Sequence, residues 1–200
     1  MSSVLDDPAD QWMNDEQTRD GELEGEHGRF CMIFRHYAAA SGDRRRELRN
    51  ELLEYLKFSP QSESLITELI ALAVDHHSPD RLYLAIDILP QLGDRLFEYA
   101  HTFLIRDVDR WNQVYSSRAY EPDDDYWFVL LRSVGQADIA EATKLMFITS
   151  CLIESNRGIA EAVVEALGDI DSGAAYDALR RLTTEQDRFI AELTQNALDE

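Results

Sequence analysis

Histidine and cysteine, whose side chains often bind metals or act in catalysis, are few in this chain, and their spacing matches no catalytic pattern. Five histidines occur, and none is followed by glutamate, so the HExxH pattern of zinc peptidases is absent. His76 and His77 end a predicted helix, where imidazoles can hydrogen-bond the last free carbonyls. We favour that structural role over a metal site, because the usual ligand spacings are missing.

The two cysteines, Cys31 and Cys151, lie in apolar contexts without CxxC spacing. A nucleophilic cysteine needs a base placed beside it by the fold, so we interpret both as buried structural thiols. The glycines occur singly, and the chain contains no GxSxG, P-loop or GxGxxG sequence. We therefore predict no catalytic, cofactor-binding or metal-binding residue, and a protein that is not an enzyme.

The stretch YEPDDDYW at 120–127 offers several carboxylates and raises the question of a calcium loop. It lacks the spaced aspartates and bidentate glutamate of an EF-hand, so we favour the aspartates as cap and dipole partners of a helix beginning at Tyr126. Aromatic residues bracket this acidic loop, as in protein interfaces, although Trp127 is expected in the core. The predicted partner-binding residues are Trp111, Tyr115, Tyr120, Asp123, Asp124, Asp125 and Tyr126.

The charge balance narrows the class of partner. The 200 residues carry a formal net charge of −20, which argues against binding to nucleic acid or to anionic membranes. A basic partner protein is favoured by complementary fields, and solubility alone is the other interpretation. The basic cluster DRRRELR at 43–49 is interpreted as a solvated, salt-linked helix face.

Two further expectations follow from patterning along the chain. Neither a membrane-spanning apolar run nor a signal peptide is visible, so we expect a cytoplasmic protein. Residues 1–28 are strongly acidic and lack helical periodicity, which predicts a flexible tail. Trp12 and Met13 raise the alternative of a short anchor that folds on a partner.

From Arg29 onward, apolar residues recur at spacings of three and four, while the alternation typical of strands is absent. The pattern predicts an all-α domain over 29–200 with about nine or ten helices. One stripe includes Leu48, Leu52 and Leu56. Another predicted stripe consists of Ala142, Leu145, Met146, Thr149, Leu152 and Ile153.

Glycines mark a repeat within this helical region. Gly93, Gly135 and Gly168 each follow Leu or Val, and they are 42 and 33 residues apart. We expect each to end a helix in the left-handed conformation, at the turn between antiparallel helices. Such periods predict stacked helical hairpins, that is, a short right-handed α-solenoid. Pro90 should kink or end its helix.

The stretches SPDRLYLAIDILPQLGD and EALGDIDSGAAYDALRRL resemble the HEAT-like repeats of phycobilin lyases. The resemblance implies a HEAT-like fold and says little of activity. An irregular insertion at about 107–125 interrupts the series, and insertions in solenoids often form the binding face. We therefore expect a non-enzymatic adaptor, inhibitor or immunity-type protein. The alternatives are a HEAT-like lyase or chaperone that handles a chromophore or prosthetic group, and self-association through the repeat ends.

Overall fold

The computed structural model describes residues 25–74, 79–103, 123–152, 157–184 and 188–199. The first half contains α1 (Glu26–Ala39), α2 (Gly42–Phe58), α3 (Ser62–Val74) and α4 (Pro79–Ile88). A 3-10 helix, Leu89–Leu92, follows α4 directly, and α5 covers 94–103. Pro90 lies at the start of the 3-10 helix, as expected of a residue that ends an α-helix.

The second half contains α6 (Asp123–Gln136), α7 (Glu141–Ser150), α8 (Arg157–Gly168), α9 (Gly173–Leu182) and α10 (Arg188–Asp199). Across the described ranges the protein is all-α, without a strand, and its helix count agrees with the predicted nine or ten. The all-α prediction is confirmed.

Most helices contact both the next helix in the chain and the one after it. The helices α2, α4, α6, α8 and α10 contact one another in that order and form one continuous row. On the other side of the row, α1 contacts α3 and α7 contacts α9. This order of contacts is compatible with stacked helical hairpins, and the right-handed solenoid stays a prediction.

The core lies between the helices and runs through the described chain as one cluster. The predicted stripe of α2 is correct, since Leu48, Leu52 and Leu56 are all buried. Trp127 is 1% exposed, in agreement with its expected place in the core. Spacings of three and four identify such residues because they recur on one side of a 3.6-residue helix.

The stripe predicted for α7 is wrong in part, although Leu145 and Leu152 do pack partly buried against the core. Met146 is 69% exposed, whereas Phe147, Ile148 and Cys151 are buried. The sequence LMFI at 145–148 places apolar side chains on more than one side of the helix, so spacing alone does not select the inner face. The packing of α7 against α6, α8 and α9 selects it.

The three predicted hinge glycines have different structural roles. Gly93 has the expected positive φ, 54°, although its ψ of −128° lies outside the left-handed helical region. The expectation of a positive φ is wrong for Gly135 and Gly168, which are helical. Gly135 instead allows close approach of α6 and α8, because a Cβ at this position would lie 2.7 Å from the carbonyl oxygen of Ala166.

Two predicted boundaries shift by three residues. Helix α1 begins at Glu26, so residues 26–28 of the predicted tail belong to the helical domain, and 1–24 lie outside the described residues. Helix α6 begins at Asp123 and not at Tyr126, so the last three residues of the insertion are helical. Carboxylates in a first helical turn are favourable because the N-terminus carries the positive end of the helix dipole.

The last helix, α10, packs against α8 and α9. Ile190 is buried in this contact, and Leu193 and Leu198 pack partly buried against the core. The apolar side of α10 is thus at least partly covered by the chain itself.

Candidate functional site

The predicted partner-binding residues fall into two groups. Trp111, Tyr115 and Tyr120 lie outside the described residues. Asp123 and Asp124 form the start of α6. His76 and His77, which we interpreted as helix-ending residues, also lie outside the described ranges.

Asp125 and Tyr126 are both partly buried, so Tyr126 is not a fully exposed aromatic. Its ring stacks on Phe103 of α5 with ring centroids 4.9 Å apart. The hydroxyls of Tyr126 and Tyr99 hydrogen-bond each other, and Tyr99 is also hydrogen-bonded to Thr67 of α3 at 2.8 Å. Tyr126 therefore anchors the start of α6 to α5 directly, and to α3 through Tyr99.

The contact between Phe103 and Tyr126 joins two described segments that are separated in the sequence by residues 104–122. Phe103 is the last described residue of α5, and Tyr126 lies three residues after the start of α6. The stack therefore holds the first turn of α6 against α5.

The second polar arrangement is centred on Arg132 of α6. Its Nε and one terminal nitrogen donate to the two carboxylate oxygens of Asp169 at 2.6 and 2.7 Å. Glu165 of α8 lies 3.2 Å from the other terminal nitrogen, and Gln136 donates to Asp169 at 3.1 Å. The side chains of Arg132 and Asp169 are only 14% and 18% exposed, so this pair is well shielded from water.

Aromatic rings complete the environment of Arg132. Its guanidinium lies 5.2 Å from the centre of Phe128 and 5.7 Å from the centre of Tyr83 of α4. The pKa of Arg132 is raised above its usual value, mainly because the hydrogen bonds to Asp169 favour the charged form. One cation thus joins α4, α6 and α8, which points to a structural role.

A third arrangement joins α1, α2 and α4. Tyr37 donates from its hydroxyl to Asp87 at 2.6 Å, and Arg49 lies 3.6 Å from the other oxygen of Asp87. Arg45 lies over the Tyr37 ring, 5.1 Å from its centre. Burial, followed by the bond to Asp87, raises the pKa of Tyr37 to about 12. Two arginines of the basic cluster thus take part in tertiary packing.

The other arginines of that cluster form pairs along the surface of α2. Arg44 pairs with Glu47 at 3.0 Å, and Arg46 pairs with Asp43 at 3.4 Å. These side chains are well exposed. The interpretation of 43–49 as a salt-linked face is therefore confirmed for α2, with the two inward-directed arginines as an addition that spacing did not predict.

One group of side chains carries the donor types that bind metals. Nε2 of His27 lies 3.5 Å from one carboxylate oxygen of Glu68, and Sγ of Cys31 lies 3.6 Å from the other. One donor atom from each of these three residues falls within 4.8 Å of the other two. Sequence reasoning missed this group because Glu68 is 37 residues from Cys31. The available signal was the four-residue spacing of His27 and Cys31 on one helix face.

Both cysteines are buried and unoxidised, as the sequence predicted for structural thiols. Burial, together with the charge of Glu68, raises the pKa of Cys31 to about 11. Burial raises the pKa of Cys151 to about 12. Both thiols hold their protons near neutral pH, which does not favour nucleophilic catalysis in the unliganded protein.

Comparison with known proteins adds no family to this picture: no family model, curated protein or solved structure matches the chain. The structure shows an all-α protein. The expectation of a HEAT-like fold rests on the repeat pattern of the sequence alone. Within the described ranges, no helix has the length and apolar character required to cross a membrane.

Proposed function

We propose that this protein is a non-enzymatic binding module of HEAT-like helical repeats that uses an acidic surface to bind a basic protein. The observation that carries the proposal is how the chain uses its charges. It has 39 acidic side chains and 19 lysines and arginines, and many of the described cations already have partners within the chain. The acidic excess is therefore left to face solvent and other molecules.

The cations are engaged in several ways. Arg132 and Arg49 bind carboxylates between helices, while Lys144 donates to the carbonyl of Gly135 and Arg95 to that of Lys57. Carboxylates lie exposed on several helices: Glu51, Glu54, Glu98, Glu141, Glu161 and Asp177. A surface of this kind attracts lysine- and arginine-rich partners and repels polyanions.

We place the partner-binding site at the insertion, from Trp111 to Tyr126. The stacking of Phe103 on Tyr126 supports this position, because Tyr126, at one end of the proposed site, is held against α5 of the helical body. The acidic residues 123–125 follow the insertion's aromatic residues closely in the sequence. Aromatic anchors next to complementary charge are typical of the residues that dominate binding energy at interfaces.

The alternative, a lyase or chaperone for a chromophore, requires acidic and cysteine side chains that converge on an apolar pocket. Cys31 beside Glu68 is a described convergence of that kind. Its thiol pKa is raised to about 11, however, so at neutral pH the nucleophilic thiolate is scarce. The binding-module proposal is therefore preferred.

The test begins with affinity capture from the native lysate at low and moderate salt, followed by mass spectrometry. A captured basic protein is then purified, and its dissociation constant is measured at both salt concentrations. We expect affinity to fall as salt rises, because exposed charges are screened within roughly 10 Å at 0.1 M salt. Failure to recover a protein whose direct binding is salt-dependent would overturn the proposal.

The position of the site is tested with two matched double variants. Trp111→Ala with Tyr115→Ala should weaken the complex at least about tenfold, since interface aromatics often contribute 2 kcal/mol or more. Phe58→Ala with Tyr176→Ala removes two aromatics that are 80% and 46% exposed elsewhere, and it should leave affinity unchanged. Circular dichroism checks that both variants stay folded. Equal affinity of the two variants would exclude the insertion as the binding site.

A further inference from the structure

His27, Cys31 and Glu68 bring nitrogen, sulfur and oxygen donors together at the contact between α1 and α3. We propose that these three side chains form a binding site for a divalent transition-metal ion of the Zn²⁺ type. The proposal does not rest on the protein-binding function and can fail or succeed independently of it.

The helical geometry explains why the donors converge. His27 and Cys31 are four residues apart on α1, so their side chains lie one above the other on the same side of that helix. Glu68 lies between two buried residues of α3, Ile66 and Leu69, and is itself partly buried. It therefore lies at the edge of the face that packs against the core. The packing of α3 against α1 then brings its carboxylate to both donors.

The donor atoms lie near enough to one another to converge on a single ion. For bonds of about 2.3 Å to sulfur and about 2.0–2.1 Å to nitrogen and oxygen, tetrahedral geometry requires ligand atoms about 3.3–3.6 Å apart. Nε2 of His27 lies 3.5 Å from one oxygen of Glu68, and Sγ of Cys31 lies 3.6 Å from the other oxygen. One donor atom from each residue lies within 4.8 Å of the other two, so the side chains must move closer together when an ion binds.

The donor types select the class of ion. A thiolate and an imidazole favour borderline ions such as Zn²⁺, whereas Mg²⁺ and Ca²⁺ prefer sites made of oxygen alone. The side chains of His27 and Glu68 are 40% and 32% exposed, so an ion has access from solvent, while buried Cys31 supplies the inner ligand. Three protein ligands leave a fourth position for water.

Binding must displace the proton of Cys31, which donates to Glu68 in the unliganded protein. When the ion binds, the S–H bond of Cys31 breaks, a sulfur–metal bond forms and the proton passes to buffer. The thiol pKa of about 11 reflects burial first and the negative charge of Glu68 second. A divalent cation between the sulfur and the carboxylate offsets both effects on the thiol, because its charge neutralises the thiolate and the glutamate together.

The experiment is calorimetric titration of the full chain with Zn²⁺ at pH 7.5, in the presence of excess Mg²⁺ to occupy nonspecific carboxylates. We expect one ion per chain and release of about one proton, measured from the dependence of the heat on buffer ionisation enthalpy. Titration with Co²⁺ should produce thiolate-to-metal charge-transfer absorption. Weak, unsaturable binding, or no charge-transfer band, would overturn the proposal.

Variants assign the ligands. His27→Gln, Cys31→Ser and Glu68→Gln should each weaken Zn²⁺ binding at least about tenfold, since loss even of outer-shell partners costs 10–100-fold. The matched controls are His36→Gln, an exposed histidine on the same helix, and Cys151→Ser, the other buried cysteine, and both should bind like the wild type.

If Cys31→Ser proves too unstable to titrate, the partly exposed His27 and Glu68 variants still decide the outcome. Undiminished affinity in both of them would show that the ion binds elsewhere and would contradict the proposed site.

Discussion

Arg132 and Asp169 form a bidentate ion pair that joins the middle of α6 to the turn after α8, with N–O distances of 2.6 and 2.7 Å. The pair explains the aspartate of the Leu-Gly-Asp sequence at 167–169, which the repeat pattern singled out as a hinge. Asp169 holds two neighbouring helices in place through one shielded arginine, and Gly135 lets the same two helices approach closely.

We expect Asp169→Ala to destabilise the protein by about 2–4 kcal/mol, because it leaves Arg132 shielded from water without its main partner. Urea unfolding measures the change. As a control, Arg188→Ala removes an exposed pair with Glu192 and should cost less than about 1 kcal/mol. Similar losses in the two variants would show that the Arg132 pair has no special structural weight.

Gly135→Ala should destabilise the protein by about 1–3 kcal/mol, because the new Cβ would meet the Ala166 carbonyl at 2.7 Å and force α6 and α8 apart. Gly168→Ala is the matched control, since no atom lies within 4 Å of its Cβ and its φ is not positive. In a helix this control should gain about 0.5–1 kcal/mol. Opposite signs in thermal or urea unfolding are the expected result, and a neutral Gly135→Ala would contradict the close-packing role.

The pKa of Tyr37 predicts a loss of stability at alkaline pH. Burial and Asp87 raise it from 10.0 to about 12, so the folded state holds the phenolic proton more tightly than the unfolded state. The stabilisation is complete below pH 10 and disappears as the pH rises through 12, with a total of about 2–3 kcal/mol. Urea unfolding at pH 8, 10 and 11 measures the slope.

Tyr37→Phe is the variant that assigns this slope. It should be less stable at pH 8 by about 1 kcal/mol, because Asp87 loses a hydrogen bond, yet its stability should fall less steeply above pH 10. Wild-type and variant curves that run parallel between pH 10 and 11 would mean that other groups cause the alkaline loss.

Both thiols should react slowly with a disulfide reagent at pH 8 in the native protein. Cys31 and Cys151 are 3% and 1% exposed, and their pKa values are raised to about 11 and about 12. The reactive thiolate is therefore scarce as well as inaccessible. Two rapid equivalents should react after denaturation in urea. Rapid reaction of one native thiol would contradict its shielding in the folded protein, and Cys151→Ser would identify which thiol reacts.

Local patterns in the sequence predict much of the fold. The stripe through Leu52 and Leu56, the burial of Trp127 and the helix end near Pro90 are all confirmed. These features depend on residues within one or two helical turns, where the 3.6-residue period or the missing N–H of proline acts directly. For α7, four consecutive apolar residues made the period ambiguous, and its inner face was predicted wrongly.

The candidate sites are harder to predict from the sequence, because they combine residues that lie far apart in the chain. Arg132 and Asp169 are in contact although 37 residues separate them in the sequence, and the same separation holds for Cys31 and Glu68. A sequence pattern on one helix states only which residues share a face. It does not state which neighbouring helix supplies the opposite charge or the third ligand.

The sequence by itself determined the all-α class, most core positions and the strongly acidic balance, because periodicity and charge are properties of short stretches and of composition. The tertiary structure decided which glycine is a turn and which is a close contact, which arginines are shielded, and that His27, Cys31 and Glu68 share one place. Those outcomes depend on how helices pack, and packing is set by contacts across the whole domain and not by local spacing.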